Sequence, residues 1–295
     1  MCCAIPATKT AHHRFCYKGE DMREIYEKVS PLSAFAEVCE WLAFKGWSEA
    51  EGGNLSLRID EDELPDELTA SVAEDVALPL AVPELGGRYL LITGSGTRSR
   101  DIATDAATDI GLYRIANDGK SYQWIIGNNN PTSEMPSHCA IQCEFMRSRP
   151  DYTAVIHTHP PRLISLTHVS EFKDPKILSN TLLGLQSEAR IIVPEGIGHL
   201  PFCVPGSLEL GLLSAKEIKY RNIILWHMHG ALAVGTSLNH ALDQLEVVEK
   251  AAEIYWTLKA AGVPTDGMSE DDLMKSMEYF GREARYKNAF KDKEK

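Results

Sequence analysis

The sequence predicts a single α/β domain with a central, mostly antiparallel β-sheet flanked by helices. Short apolar runs with strand spacing mix with longer runs at helical spacing throughout the chain, and no fixed repeat appears. Two of the strand-like runs, Gly111 to Ala116 and Tyr122 to Ile126, flank Asn117-Asp118-Gly119, the signature of a hairpin. A length of 295 residues, 44% of them hydrophobic, suits one large core.

Residues 1–25 show no clear periodicity and read as an N-terminal extension to a domain spanning 26–290. The first firm element starts at Ser30-Pro31, an N-cap followed by proline at the first helical position, with Leu32, Phe35, Cys39 and Leu42 at helical spacing and Gly46 placed to end it. Leu55-Ser56-Leu57-Arg58-Ile59 alternates strictly and predicts a half-buried strand. Residues 60–87 are acidic and proline-punctuated, as expected of a solvated loop between strands. Tyr89 to Thr93 reads as a strand ending in Gly94-Ser95-Gly96-Thr97, and the hairpin follows. A helix is expected from near Thr132 or Ser133, with Glu134 and His138 on one face. After the strand Thr153 to Thr158, a helix starts at Pro160-Pro161. Ala189 to Val193 predicts a strand and Glu195-Gly196-Ile197-Gly198 a turn. The remaining expectations are a helix capped by Ser207, a strand through Trp226 continued by Ala231 to Val234, a long helix capped by Ser237, and a last helix from Ser269.

The chemistry centres on Ala154-Val155-Ile156-His157-Thr158-His159-Pro160-Pro161. Side chains alternate along a strand, so His157 and His159 leave the same face about 6–7 Å apart along the backbone. Two imidazoles so placed can share a divalent cation. A similar strand end, Ile223 to Gly230, carries His227 and His229, either of which can face that cation, and Glu134 lies in Pro131-Thr132-Ser133-Glu134. Three histidines with one open position make a catalytic rather than a structural zinc site. Glu134, following two hydroxyl residues at a helix start, also suits an ordinary capping role.

The formal net charge of −12 argues against non-specific nucleic-acid binding and requires local groups to hold any anionic substrate. Seven cysteines, an odd number without zinc-finger spacing, fit a reducing cytoplasm, with Cys139 and Cys143 packing on one helix face. Residues 1–15 hold no apolar run of signal-peptide length, and no run approaches a membrane span.

Taken together, Gly52-Gly53-Asn54-Leu55-Ser56, Thr93-Gly94-Ser95-Gly96, Pro131-Thr132-Ser133-Glu134, His157-Thr158-His159 and His229-Gly230 resemble the class II aldolase/adducin family in order and spacing. Lys45-Gly46-Trp47 and Val193-Pro194-Glu195-Gly196-Ile197-Gly198 bring the resemblance nearest to the rhamnulose-phosphate branch. The resemblance covers about residues 32–285 and implies the family's three-layer fold. It implies one Zn²⁺ per subunit on His157, His159 and His229, leaving His227 as a supporting histidine, and Glu134 as the acid/base residue. It also implies a phosphate site on Asn54, Ser95, Gly96, Thr132 and Ser133, and a further glutamate, Glu188, near the metal. Glu51 departs from the asparagine usual in the family's sugar-phosphate aldolases, and a carboxylate there opposes a phosphate unless Arg98 or Arg100 compensates. The implied activity is reversible aldol cleavage of a ketose 1-phosphate, L-rhamnulose 1-phosphate in the nearest branch, in a cytoplasmic homotetramer with interfacial sites. Tyr279 and Tyr286 are the candidates for an acid contributed by the neighbouring chain. Other readings of the same motifs are an aldolase or epimerase acting on fuculose or ribulose phosphate or on a non-phosphorylated substrate, and a non-catalytic adducin-like scaffold.

Overall fold

The computed structural model describes residues 22–71 and 73–291. Most of the expected N-terminal extension therefore lies outside the described residues. Its last part belongs to the ordered body: Met22–Glu27 is a helix that buries Ile25 and Tyr26, and the Tyr26 hydroxyl donates to Ile110 O at 2.9 Å.

The described residues form a sheet of nine strands: β1 (Asn54–Ile59), β2 (Asp75–Ala77), β3 (Tyr89–Thr93), β4 (Ile110–Ile115), β5 (Ser121–Gly127), β6 (Ala154–Thr158), β7 (Ile197–Leu200), β8 (Ile223–Trp226) and β9 (Gly230–Gly235). Their order is β2-β5-β4-β3-β1-β6-β9-β8-β7, antiparallel except for the β7–β8 pair. The α/β class with a mostly antiparallel sheet is thus as the sequence predicts. Strand β6 lies between β1 and β9, near the middle of the sheet, and is buried on both faces. Ala154 and Ile156 face a layer built from the Pro31–Phe44 and Leu238–Ala260 helices, where Phe35, Val38, Leu245 and Val248 pack. Val155 faces the opposite layer, built from Met135–Ser148 and Leu208–Glu217. Sheet and helices thus make three layers, and burial of each branched aliphatic side chain contributes about 1.5–3 kcal/mol.

Serine caps fall where the sequence puts them: Ser207, Ser237 and Ser269 accept from the backbone N–H of Leu210, His240 and Asp272. Ser30 is different; its side chain makes no cap bond, and its carbonyl accepts from the Ser33 hydroxyl.

Several elements depart from expectation. Ala189 to Val193 is not a strand: Ala189 to Ile192 belong to the helix Ser187–Ile192 and Val193 ends it, with Arg190 drawn inward, donating to Ser179 O and Asn180 Oδ1. The turn expected at 195–198 lies slightly earlier, closed by Gly196 N–H donating to Val193 O at 3.1 Å with Gly196 at φ 80°, and Ile197 already opens β7, an edge strand paired parallel to β8. Strand β1 is buried on both faces, since Ser56 and Arg58 meet Gln142 and Pro150 O of the second helical layer. Residues 60–87 are more than loop: Leu64, Leu68, Val82 and Leu85 are buried, and Asp75–Ala77 adds an edge strand to β5. No described helix is long and apolar enough to cross a membrane.

Candidate active site

The two sequence motifs meet because β1 and β6 are antiparallel neighbours in a register that places Asn54 opposite His157. Strand β6 stops at Thr158, and Pro161 opens the helix Pro161–Leu166. His159 is held just beyond the strand by its own N–H donating to Trp47 O at 2.7 Å. His229 arrives from the β8–β9 turn. There Met228 takes φ 56°, which breaks strand alternation and separates His227 from His229.

His157, His159 and His229 bring their ligand atoms within 4.8 Å of one another. The hydrogen bonds fix which nitrogens face inward. Nδ1 of His157 donates to Ala231 O at 3.1 Å, and Nδ1 of His159 donates to Glu49 Oε1 at 2.9 Å. With the rings neutral, as ligation of a metal requires, each Nε2 turns a lone pair inward, and the two lie 3.2 Å apart. Two lone pairs cannot bond each other. A tetrahedral ion with Zn–N bonds of about 2.0–2.1 Å would span an edge of about 3.3 Å, so the donors fit such a cation. Burial, with His229 and His159 beside it, pushes the His157 pKa well down, and burial brings His229 to about 4. Both imidazoles are therefore neutral near pH 7, the form that ligates metal.

Tight quarters explain two glycines. A β-carbon on Gly230 would lie 2.7 Å from His157 Cε1 and 2.8 Å from His159 Cδ2, and one on Gly52 would lie 2.8 Å from the His159 ring. These glycines make room for imidazoles. The Trp226 ring lies under His157 with centroids 4.2 Å apart, anchored by its N–H donating to Ser214 Oγ at 3.0 Å.

Glu134 immediately precedes the helix Met135–Ser148 and makes no side-chain cap bond. Its carboxylate turns instead into the pocket, 5% exposed, with Oε2 3.7 Å from His157 Nε2 and Oε1 3.9 Å from His229 Nε2. Burial raises its pKa to about 7, against the opposing pull of the Asn54 amide and the Gly206 N–H. Asn54 donates to Glu134 Oε2 at 3.1 Å.

Around this centre the pocket wall contains Glu51, Asn54, Ser95, Gly96, Thr132 and Ser133 beside the histidines and Glu134. The Ser95 and Ser133 side chains are exposed, whereas Thr132 is buried and its hydroxyl accepts from Glu134 N at 3.3 Å. The Glu51 carboxylate reaches to 4.0 Å from the β-carbon position of Gly96. Arg98 does not compensate it, pairing instead with Asp101 at 3.9 Å. Two expected residues lie elsewhere. Glu188 is exposed on the helix Ser187–Ile192 and does not line this pocket. His227 turns to β7, its Nδ1 3.2 Å from His199 Nε2. Of the tyrosines, Tyr279 is 84% exposed and Tyr286 packs against the Arg190 guanidinium. The sequence reading gave no site role to Glu49, Trp226, His138 or Gln142; the last two share a helix face but show their partners only once β1 is in register with that helix.

Residues 33–256 match the family model described as Class II Aldolase and Adducin N-terminal domain. The rhamnulose-1-phosphate aldolase of Bacteroides thetaiotaomicron is 34% identical over 245 residues, 82% of this chain and 91% of that protein. That of Enterococcus faecalis is 30% identical over 240 residues, 80% of this chain and 86% of that protein. Among solved structures, a sugar-phosphate aldolase from Thermotoga maritima superposes with a TM-score of 0.71 and 35% identity, covering 83% of this chain and 99% of that one.

Proposed function

Because the chain belongs to the class II aldolase and adducin family, we propose that it is a metal-dependent aldehyde-lyase that cleaves L-rhamnulose 1-phosphate reversibly into dihydroxyacetone phosphate and L-lactaldehyde. The observation that carries this reading is the convergence of three imidazoles and one buried carboxylate in an open pocket. In it His157, His159 and His229 hold one Zn²⁺ per subunit. When bound, the cation supplies Lewis acidity toward the carbonyl and hydroxyl oxygens of the ketose and favours the negative charge that develops as the C–C bond breaks.

The protein's own groups do the rest. Glu134, its buried carboxylate turned into the pocket 3.7 Å from His157 Nε2, is the group placed to give and take a proton at the nucleophilic carbon. Asn54 fixes one carboxylate oxygen and leaves the other for that transfer. Glu49 and the Ala231 carbonyl hold His159 and His157 in the tautomers that turn Nε2 inward. The exposed hydroxyls of Ser95 and Ser133, with Gly96 and Thr132, form the side of the pocket assigned to the substrate phosphate. We further assign a homotetramer in which a neighbouring chain completes each site, and a cytoplasmic location that rests on the composition. Glu188 and the exposed Tyr279 are the groups left to serve such an interface.

One observation favours a second reading. Glu51 places a carboxylate in the wall on the phosphate side of the pocket, which favours a different ketose phosphate or a non-phosphorylated substrate. Aldol cleavage of L-rhamnulose 1-phosphate and of free L-rhamnulose, each with and without a chelator, separates the two. Chelator-sensitive cleavage of the ester alone is the expected result. Cleavage of the free sugar would move the assignment to the second reading, and stoichiometric zinc in the purified protein would set aside a non-catalytic scaffold.

A further inference from the structure

A buried row of hydrogen bonds runs from the sheet to the acid/base carboxylate, and its direction can be read from one end. Gln142 uses both amide hydrogens, donating to Thr153 O at 2.7 Å and to Ser56 Oγ at 3.2 Å. A carboxylate only accepts, so Asn54 gives its NH₂ to Glu134 and turns Oδ1 to His138 Nε2, and the other ring nitrogen, Nδ1, therefore accepts from the Ser56 hydroxyl at 2.8 Å. His138 then carries its proton on Nε2 and donates to Asn54 Oδ1 at 2.6 Å. That bond in turn orients the Asn54 amide so that its NH₂, not its carbonyl, meets Glu134 Oε2 at 3.1 Å. Gln142, Ser56 and His138 are at most 1% exposed, so no water competes for these bonds.

We propose that His138 is a positioning residue of the aldolase reaction: acting through Asn54, it holds an N–H donor on the Glu134 carboxylate and fixes where that carboxylate points. The geometry gives the reason. An asparagine free to flip can equally present its carbonyl, which would face a carboxylate oxygen as a like partner and turn the acid away or force it to keep its proton. A histidine serves because burial keeps it neutral, its pKa brought down to about 3, so it stays one-sided: acceptor to Ser56, donor to Asn54. This inference rests on the reading of Glu134 as the acid/base residue.

Nitrogen-15 NMR of the histidine-labelled, zinc-loaded protein reads the tautomer directly. A neutral imidazole protonated on Nε2, with its signal absent from H138Q, is expected. A proton on Nδ1 would overturn the proposal, because Asn54 would then turn its carbonyl to Glu134. Kinetics supply the second measurement. H138L is expected to keep one zinc per chain and a nearly unchanged KM while kcat falls about 10–100-fold, as for other groups that orient a reacting residue. H138Q, whose amide can restore the donor, is expected to recover most of that kcat. In an N54A background H138L should cost nothing more, and a full additional loss there would sink the relay. If H138L does not fold, the tautomer and the H138Q activity still decide. Full activity in H138L beside an inactive E134Q removes only this proposal, whereas full activity in E134Q removes the reading of Glu134 beneath it.

Discussion

At the scale of single residues, the site is a problem of fitting three imidazoles and a carboxylate into one corner of a sheet. Gly230 shows how little room is left. G230A would set a methyl group 2.6 Å from Thr158 O and against two ligand rings. The expected outcome is a protein without stoichiometric zinc and without activity, checked by elemental analysis of the purified variant. A G230A protein holding one zinc per chain would show that the rings can give way. E134Q tests the opposite property, since it keeps the shape and removes the titrating group. It should retain zinc and lose about 10²–10⁴-fold in kcat, the usual worth of a positioned acid or base. E51N should lower KM for the phosphate ester by relieving repulsion, with little effect on free L-rhamnulose. The clustering of His157 with His159 was legible in the sequence because the two are two apart at one strand end, a local pattern. Choosing His229 over His227 was not legible from spacing, because the turn at Met228 takes a positive φ and spoils the alternation on which spacing arguments depend. The partners of Asn54 were hidden for another reason: they come from a helix 84 positions away in the chain.

At the scale of elements, strands and capped helices with a clear period were readable, and errors arose where tertiary burial overrode it. Strand β1 alternates like a half-exposed strand, yet its polar residues are buried because the helix Met135–Ser148 supplies bonding partners for them. Residues 189–193 are β-branched enough to suggest a strand, yet 187–192 form a helix that turns Arg190 inward, where one guanidinium nitrogen donates to Ser179 O and Asn180 Oδ1. The long helix Leu238–Ala260 carries a further device that the sequence does not announce. Glu249, 3% exposed, accepts from the backbone N–H groups of Arg162 and Leu163, so one carboxylate fixes the start of the helix that follows His159. Burial raises its pKa from 4.5 to about 7 in the folded protein. Below about pH 4.5 both states are protonated and the group costs nothing. As pH rises toward 7 the unfolded chain ionises first, and stability falls by an amount on the order of 3 kcal/mol. E249Q removes that titration. Urea midpoints measured at pH 5 and pH 8 should therefore fall less between the two in E249Q than in the parent, and equal slopes would mean that Glu249 is already ionised at low pH.

At the scale of the whole molecule, a cation held by the three histidines would tie together parts of the chain that the sheet alone joins only by its ladders. His157 and His159 stand at the end of β6 and His229 in the β8–β9 turn, while the turn before β1 packs on the His159 ring through Gly52. A net charge of −12 gives the molecule a field that attracts cations and repels a sugar phosphate, so substrate capture falls to the pocket itself. A cation that binds the folded site and not the unfolded chain stabilises the fold by mass action, by about 4 kcal/mol at a thousandfold excess over its Kd. For a chain of this size that corresponds to roughly 10 °C in Tm. Chelator treatment should lower the melting temperature by that order. H157A and H159A should already melt near the chelated value and respond little to chelator. Their pairing identifies the source of the effect: an unchanged chelator shift in both variants would place the stabilising ion elsewhere in the protein, whereas its loss in both ties the stability of three separate chain segments to the same imidazoles that the pocket offers to the substrate.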